Sequence, residues 1–265
     1  MDERFVLHVV KIGGNAVDNP STLASILAAI AKMQEGVILV HGGGGEATTL
    51  ARRLGLEPVM VEGRRITDAA MLDVAVMVYA GLINKRIVAA FAAHGVTAIG
   101  LSGPDGDLIT ASKRTKSKVK YGYVGDITAV DAALLESLLD SGLLPVIAPI
   151  THDGKGQLLN TNADTVAAAI ASAFAREYRV LLHLCFDQPG VCLVPGDESS
   201  VLPVLDAARF RELSASGVIT SGMLPKLENG FAALAAGVDS VRLLHADAFA
   251  SFVTHESEPG TELVE

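Results

Sequence analysis

Short aliphatic runs and stretches with helical spacing take turns along almost the whole chain, and this alternation limits the fold more than any other feature. Strand candidates lie at 5–10 (FVLHVV), 36–40 (GVILV), 58–62 (PVMVE), 96–101 (VTAIGL), 144–150 (LPVIAPI), 179–185 (RVLLHLC) and 240–245 (SVRLLH). Helical patterns near 20–34, 46–54, 68–94, 131–141, 164–176 and 225–236 separate them, with a turn-rich, hairpin-like section up to about residue 130. The pattern predicts an α/β fold, a mainly parallel sheet covered by helices on both faces. Ligands of such sheets collect at the carboxyl ends of the strands, so the segments just after these runs are where chemistry is expected.

At 265 residues the chain can bury a sizeable core without covalent staples. Its 30 acidic against 21 basic residues leave a formal charge of −9, which argues against a nucleic-acid binder, whose cationic face must displace counterions. The one basic run, KRTKSKVK (113–120), alternates charge with Ser, Thr and Val and predicts a solvated hairpin strand. Mean hydropathy is high at +0.40. No stretch is expected to reach the roughly 18 apolar residues a membrane helix requires, and MDERF lacks the features of a signal peptide. Cys185 and Cys192 form no CxxC pair and are expected to be buried, reduced thiols, consistent with a cytoplasmic address. The histidines show no metal-ligand spacing, so no protein-held metal is expected. The nearest thing to a seam lies around 151–164, where THDGKGQLLNTNAD interrupts the apolar pattern, which predicts two lobes, 1–163 and 164–265, on one continuous sheet.

Four polar or glycine-rich stretches fall at strand ends or helix starts: KIGGN (11–15), HGGGGE (41–46), NTNAD (160–164) and GMLPK (222–226). Singly, each has a structural explanation. Lys11 can end a strand in water, Asn160, Asn162 and Asp164 suit turns and helix caps, and Lys226 follows Pro225 into a helix. Four consecutive glycines are harder to explain that way, since each costs up to about 1 kcal/mol in a regular element. Together the stretches suggest a phosphate site: two glycine loops offer N–H donors, two lysines offer charge, and one carboxylate can hold both ammonium groups. There is no GxxxxGK[ST] loop and no HRD or DFG motif. Gly42, Gly44 and Ala47 satisfy the dinucleotide pattern GxGxxA, with Glu62 placed as a ribose ligand, so an NAD-linked oxidoreductase is a rival reading. It leaves KIGGN, NTNAD and GMLPK without a role. A nucleotide-binding regulator without turnover is a third.

The set KIGG (11–14), HGGGG (41–45), GRRIT (63–67), LLNTNADT (158–165), DQPGV (187–191) and SGMLPKLE (221–228) resembles the amino-acid kinase family, over a span from residue 5 to GTEL (260–263). The resemblance implies a three-layer αβα sandwich around an open, mainly parallel eight-stranded sheet of the carbamate kinase type. It implies an N-terminal lobe for the acyl amino acid and for dimerisation, and a C-terminal lobe for ATP. The expected reaction is ATP-dependent phosphorylation of the side-chain carboxylate of an N-acyl-L-glutamate, N-acetyl or N-succinyl, in arginine biosynthesis, with Mg²⁺ arriving with ATP. Carried over position by position, Lys11 is similar to the lysine that meets the transferring phosphoryl group, Lys226 to the one that reaches the nucleotide phosphates from the other lobe, and Asp164 to the carboxylate that organises both. Gly43, Gly44, Arg65, Asn160 and Asn162 match acceptor-binding positions, Arg65 and Asn160 holding the α-carboxylate. Gly13, Gly14, Asp187, Gly190, Gly222 and Met223 match positions that receive phosphoryl oxygens or the nucleotide. Arg64 is expected to be exposed or paired structurally. Phe186 departs from the pattern, since the family usually has Ser or Thr before the aspartate of its TDVPGV-like stretch. With Phe5 already opening the first strand, the expectation is a homodimer without arginine feedback.

Overall fold

The computed structural model describes residues 4–61, 63–115, 118–194, 196–219 and 222–265, with Asn15 given by its backbone alone. Glu62 of the dinucleotide reading, Lys116 and Ser117 of the basic run, and Ser221 of the last motif lie outside the described residues.

The chain begins with β1 (Val6–Ile12), α1 (Gly14–Asp18), α2 (Pro20–Ile30), β2 (Gly36–His41) and α3 (Gly44–Arg53). A hairpin of β3 (Met60–Val61) and β4 (Arg64–Arg65) leads into a long helix, in which π-type turns over Val76–Ile83 join α4 (Ala69–Ala75) to α5 (Asn84–Ala92). Next come β5 (Ala98–Leu101), β6 (Ile109–Lys113), β7 (Gly125–Val130), α6 (Ala132–Asp140), β8 (Leu144–Ile147), β9 (Ile150–His152) and β10 (Leu158–Asn160). The remainder holds α7 (Ala163–Phe174), β11 (Arg179–Phe186), β12 (Val204–Asp206), α8 (Ala207–Ala215), α9 (Leu224–Ala235), β13 (Ser240–His245), α10 (Phe249–Val253) and β14 (Thr261–Val264).

Eight strands form one sheet in the order β12-β14-β13-β11-β1-β2-β8-β5. Every neighbouring pair is parallel except β13 with β14, where the chain returns antiparallel. Alternate side chains of a strand face opposite ways, and here both faces are dry. Leu7, Val9, Ile38 and Val40 join the cluster packed on α7 and α9. Val10, Ile12, Val37 and Leu39 join the cluster beneath α2, α3 and the long helix. This is the three-layer αβα arrangement expected. A separate four-stranded sheet, β10-β9-β6-β7, stands beside the main one.

Local signals set the helix starts. Asn19 accepts from the N–H groups of Ser21 and Thr22 at 3.1 and 3.3 Å, and Pro20 occupies the first position of α2. Asn162 does the same for α7, accepting from Asp164 and Thr165 at 2.8 and 3.2 Å. One expectation needs correction: residues 69–92 do form a helix long and apolar enough to cross a membrane, at mean hydropathy 1.6. Asp73, Asn84, Lys85 and Arg86 break its apolar run, and Val74, Val78, Ile87 and Phe91 are buried, so one side of it packs into the core.

Because β1, β2 and β11 are adjacent and parallel, their carboxyl ends open on one side of the sheet. Lys11, His41 and Phe186, and the loops that follow them, meet there.

Candidate active site

The first glycine loop leaves β1 and the second leaves β2, and backbone bonds tie the first to β11 and the second to the end of β1. Gly13 N–H donates to the Cys185 carbonyl at 3.0 Å, and Gly42 N–H to the Ile12 carbonyl at 2.9 Å. Gly13 therefore has no N–H left for a phosphoryl oxygen, which corrects its expected role: it frames the loop. Gly14 and Gly44 open α1 and α3, and both cap residues are glycines with no side-chain oxygen to take the first N–H groups. A methyl placed on Gly14 would lie 3.3 Å from the nitrogen of Gly44 and 3.8 Å from those of Gly43 and Gly45. The space bounded by these nitrogens suits an anionic oxygen, and any Cβ would fill it. Gly43 must be glycine for a second reason: at φ +152° its Cβ would stand 2.2 Å from Ile83 Cδ1.

His41 locks the turn. It is buried, its Nδ1–H donates to the Gly42 carbonyl at 2.8 Å, and its Nε2 lies 3.3 Å from Asn84 Nδ2. Burial pushes its pKa down to about 4, so the ring is neutral at pH 7 and acts as a brace.

Beside the loops lies a chain of charge. Lys11 Nζ stands 2.8 Å from Asp164 Oδ1, and Lys226 Nζ 2.7 Å from Asp164 Oδ2. β1 supplies Lys11, the first turn of α7 supplies Asp164, and the first turn of α9 supplies Lys226. Lys11 and Asp164 are buried. Burial alone would raise the Asp164 pKa, but the two ammonium groups more than reverse this and hold the carboxyl well below the usual range. Burial lowers Lys11, Asp164 opposes that, and Lys226 adds to it. The three groups carry one net positive charge toward the adjoining space.

That space is a cavity of about 210 Å³, lined among others by Lys11, Gly14, Gly44, Arg65, Asn160 and Lys226. Arg65 is buried, and its Nη2 donates to the Gly44 carbonyl and to Thr48 Oγ1, both at 2.9 Å. Its Nη1 is buried without a partner, and among the described residues no carboxylate pairs with it. An orphaned guanidinium nitrogen in a cavity calls for an anionic acceptor. Asn160 Nδ2 donates to Thr67 Oγ1 at 3.0 Å, and that hydroxyl to the Arg65 carbonyl at 3.0 Å, which ties Asn160 to the arginine strand. Asn162 also lines the cavity, but its Oδ1 is occupied in capping α7, so its first duty is to aim Asp164.

The lining also holds residues that were not foreseen, among them Tyr79, Arg114 and Arg64. Tyr79 projects from the long helix beside Arg65. Arg114, from the run read as a solvated strand, faces the cavity with its Nε 2.8 Å from Asp126 Oδ1. Arg64, expected to be exposed or paired, is half-buried in the lining, and burial and then the nearby Arg114 charge lower its pKa.

A second cavity, of about 260 Å³, contains Asp187 and Met223 with Val191, Cys192, Val218 and Ile219. Gly190 does not reach it. A Cβ at Gly190 would stand 2.7 Å from Thr261 Oγ1, and that oxygen accepts from Val191 N–H at 2.8 Å, so the glycine serves packing against β14. Gly222 borders neither cavity, and a Cβ on it would meet nothing within 4 Å. Cys185 is buried below Lys11, where burial pushes its thiol up to about 12 and leaves it inert.

The model of the amino acid kinase family matches residues 7–245. The chain belongs to the amino acid kinase family. It is 49% identical over 242 residues to the acetylglutamate kinase of Phocaeicola vulgatus, covering 91% of this chain and 94% of the relative. With the acetylglutamate kinase of Cytophaga hutchinsonii it shares 46% over 259 residues, covering 97% and 98%. The carbamate kinase of Giardia lamblia bound to AMP-PNP has the same fold, with a TM-score of 0.72 at 14% identity and full coverage of both chains. Membership of the amino acid kinase family brings ATP as substrate, and the relatives give no support to the oxidoreductase or inactive-regulator readings. The geometry explains why the dinucleotide pattern misled. Gly42 and Gly44 face a second glycine loop and two lysines rather than a lone helix start.

Proposed function

We propose that this protein transfers the γ-phosphoryl group of ATP to the side-chain carboxylate of N-acetyl-L-glutamate, forming an acyl phosphate in arginine biosynthesis. The acetylglutamate kinases to which it is nearly half identical over most of their length support the reaction. The observation that carries the reading is the Lys11–Asp164–Lys226 chain next to an uncapped glycine cradle, with the unpartnered Arg65 Nη1 in the same cavity.

A carboxylate oxygen attacks the γ-phosphorus, the bond to ADP breaks, and ADP leaves with the electron pair. No proton moves, so no general base is needed. The obstacle is charge: carboxylate and phosphate repel by about 4 kcal/mol per unit pair at 4 Å and an effective dielectric of about 20. Lys11 and Lys226 offset that from two sides, and N–H groups of Gly14, Gly44 and Gly45 receive oxygens of the moving group. One preorganised donor of this kind is typically worth about 3–4 kcal/mol in the transition state. Arg65 takes the α-carboxylate through its free nitrogen. The cavity of Asp187 and Met223 takes the nucleoside, and Mg²⁺ enters as part of the ATP substrate, because Asp164 is already spent on the lysines. Residues 1–163 bind the acceptor and residues 164–265 the nucleotide. The reading places the protein in the cytoplasm as a homodimer; Met77 and Leu82, exposed on the long helix, support the contact.

One observation favours a second acceptor. Arg64 and Arg114 add two guanidinium groups to a cavity whose α-carboxylate already has Arg65, and an N-succinyl group would bring them a further carboxylate. ADP release measured in parallel with N-acetylglutamate, N-succinylglutamate, glutamate and aspartate tests both readings. Turnover with the N-acyl compounds is expected, and none with free glutamate or aspartate. Failure with both N-acyl compounds refutes the function, and the ratio between them decides the acyl group.

A further inference from the structure

We propose that Phe186 is a positioning residue for Lys226: the face of its ring fixes the direction of the ammonium group that Asp164 holds at a distance. The proposal rests on the phosphoryl-transfer reading above. Lys226 Nζ lies 2.7 Å from Asp164 Oδ2 and 5.9 Å from the centroid of the Phe186 ring. Phe186 is buried at the end of β11, and the Lys226 side chain is one-fifth exposed. The backbone of Phe186 abuts the first glycine loop, its Cα 3.7 Å from where a Cβ on Gly13 would stand, and the next residue, Asp187, lines the second cavity. The ring also belongs to the same apolar cluster as Met223 and Leu227, which flank Lys226 at the start of α9.

A lysine on four methylenes with a single ionic partner keeps freedom to swing about that contact. A second attraction from another side removes that freedom. A second carboxylate would provide it but would repel the phosphates that the ammonium must meet. An aromatic face attracts the cation through its quadrupole and adds no net charge. At 5.9 Å the ring is close to the outer limit of such contacts, so its effect on rate is small and specific.

Phenylalanines carrying one, two and three ring fluorines, placed at position 186 of the full chain, weaken the quadrupole while nearly preserving shape. The expected result is a stepwise fall in kcat/KM for ATP, totalling about two- to fivefold, with the KM for the acceptor unchanged. Phe186→Tyr stays within about twofold of wild type and Phe186→Leu falls at least as far as the trifluoro form. A flat fluorine series, or Tyr no better than Leu, overturns the proposal. Proton NMR of the Lys226 ε-methylene reads the ring without turnover: a ring-current displacement in wild type, lost in Phe186→Leu, is expected, and equal shifts in the two overturn it. Wild type that shows the displacement and releases no ADP refutes the kinase reading instead.

Discussion

Replacing Asp164 by Asn removes one carboxylate from between two ammonium groups and changes little in shape. The contacts it breaks are 2.8 Å to Lys11 and 2.7 Å to Lys226. At such separations each is worth about 6 kcal/mol in an effective dielectric of about 20. Much of that gain is cancelled by the cost of drying the three groups, so breaking a buried pair costs about 3–5 kcal/mol in practice. For a chain of this size the expected fall in Tm is roughly 6–15 °C.

The substitution also shifts a titration, and the sign is fixed by the geometry. In the wild type, burial lowers the Lys11 pKa and Asp164 opposes it. Without the carboxylate, the repulsion from Lys226 remains and the opposing attraction is gone, so Lys11 loses its proton at a lower pH. Activity that needs Lys11 charged then fails earlier on the alkaline side. Stability shows the complementary effect. The folded pKa of Asp164 lies below the ordinary carboxylate value, so its contribution is present above about pH 4 and is lost as pH falls toward the folded value. The variant lacks that acid limb. ADP release across the pH range and calorimetric Tm test both halves. A Tm within about 2 °C of wild type, together with an unmoved alkaline limb, would refute the shared-acid argument.

Arg65→Lys keeps the charge but loses the fork, and is expected to raise the acceptor KM about ten- to a hundredfold with a smaller change in kcat. Steady-state kinetics showing an unchanged KM would remove Arg65 from the acceptor site. Gly14→Ala strains no left-handed backbone, but the Gly44 backbone must give by a few tenths of an ångström, so a modest fall in Tm is expected. Its methyl, 3.3 Å from the Gly44 nitrogen, occupies the oxyanion space and lowers kcat about 10²- to 10³-fold. Wild-type kcat in that variant would place the phosphoryl group elsewhere.

Much of the frame was legible because its causes are local. Strands dry on both faces are apolar at most positions, so 36–40, 144–150 and 179–185 stand out as runs. The glycines of both loops are visible because a cradle built of backbone nitrogens excludes every side chain. The short late strands were not. β12 and β14 are only three and four residues long, and the antiparallel return of β14 depends on Thr261 bonding to Val191 and Leu202, contacts that span about 60 to 70 positions.

The site residues that escaped share one property: their roles depend on which segment folds over which. Arg114 sits in a run whose spacing suits water, and only the pairing of β6 with β7, which brings Asp126 within 2.8 Å of its Nε, holds it in the cavity lining. Tyr79 is one apolar letter in a long helix until the π-type turns set it beside Arg65. Gly13 shows the converse. Its letter fits a phosphate donor, yet the sheet extends one hydrogen bond past β1 and consumes its N–H on Cys185. A glycine motif therefore identifies where side chains are forbidden, while the backbone hydrogen bonds around it decide which N–H groups remain to bind an anion.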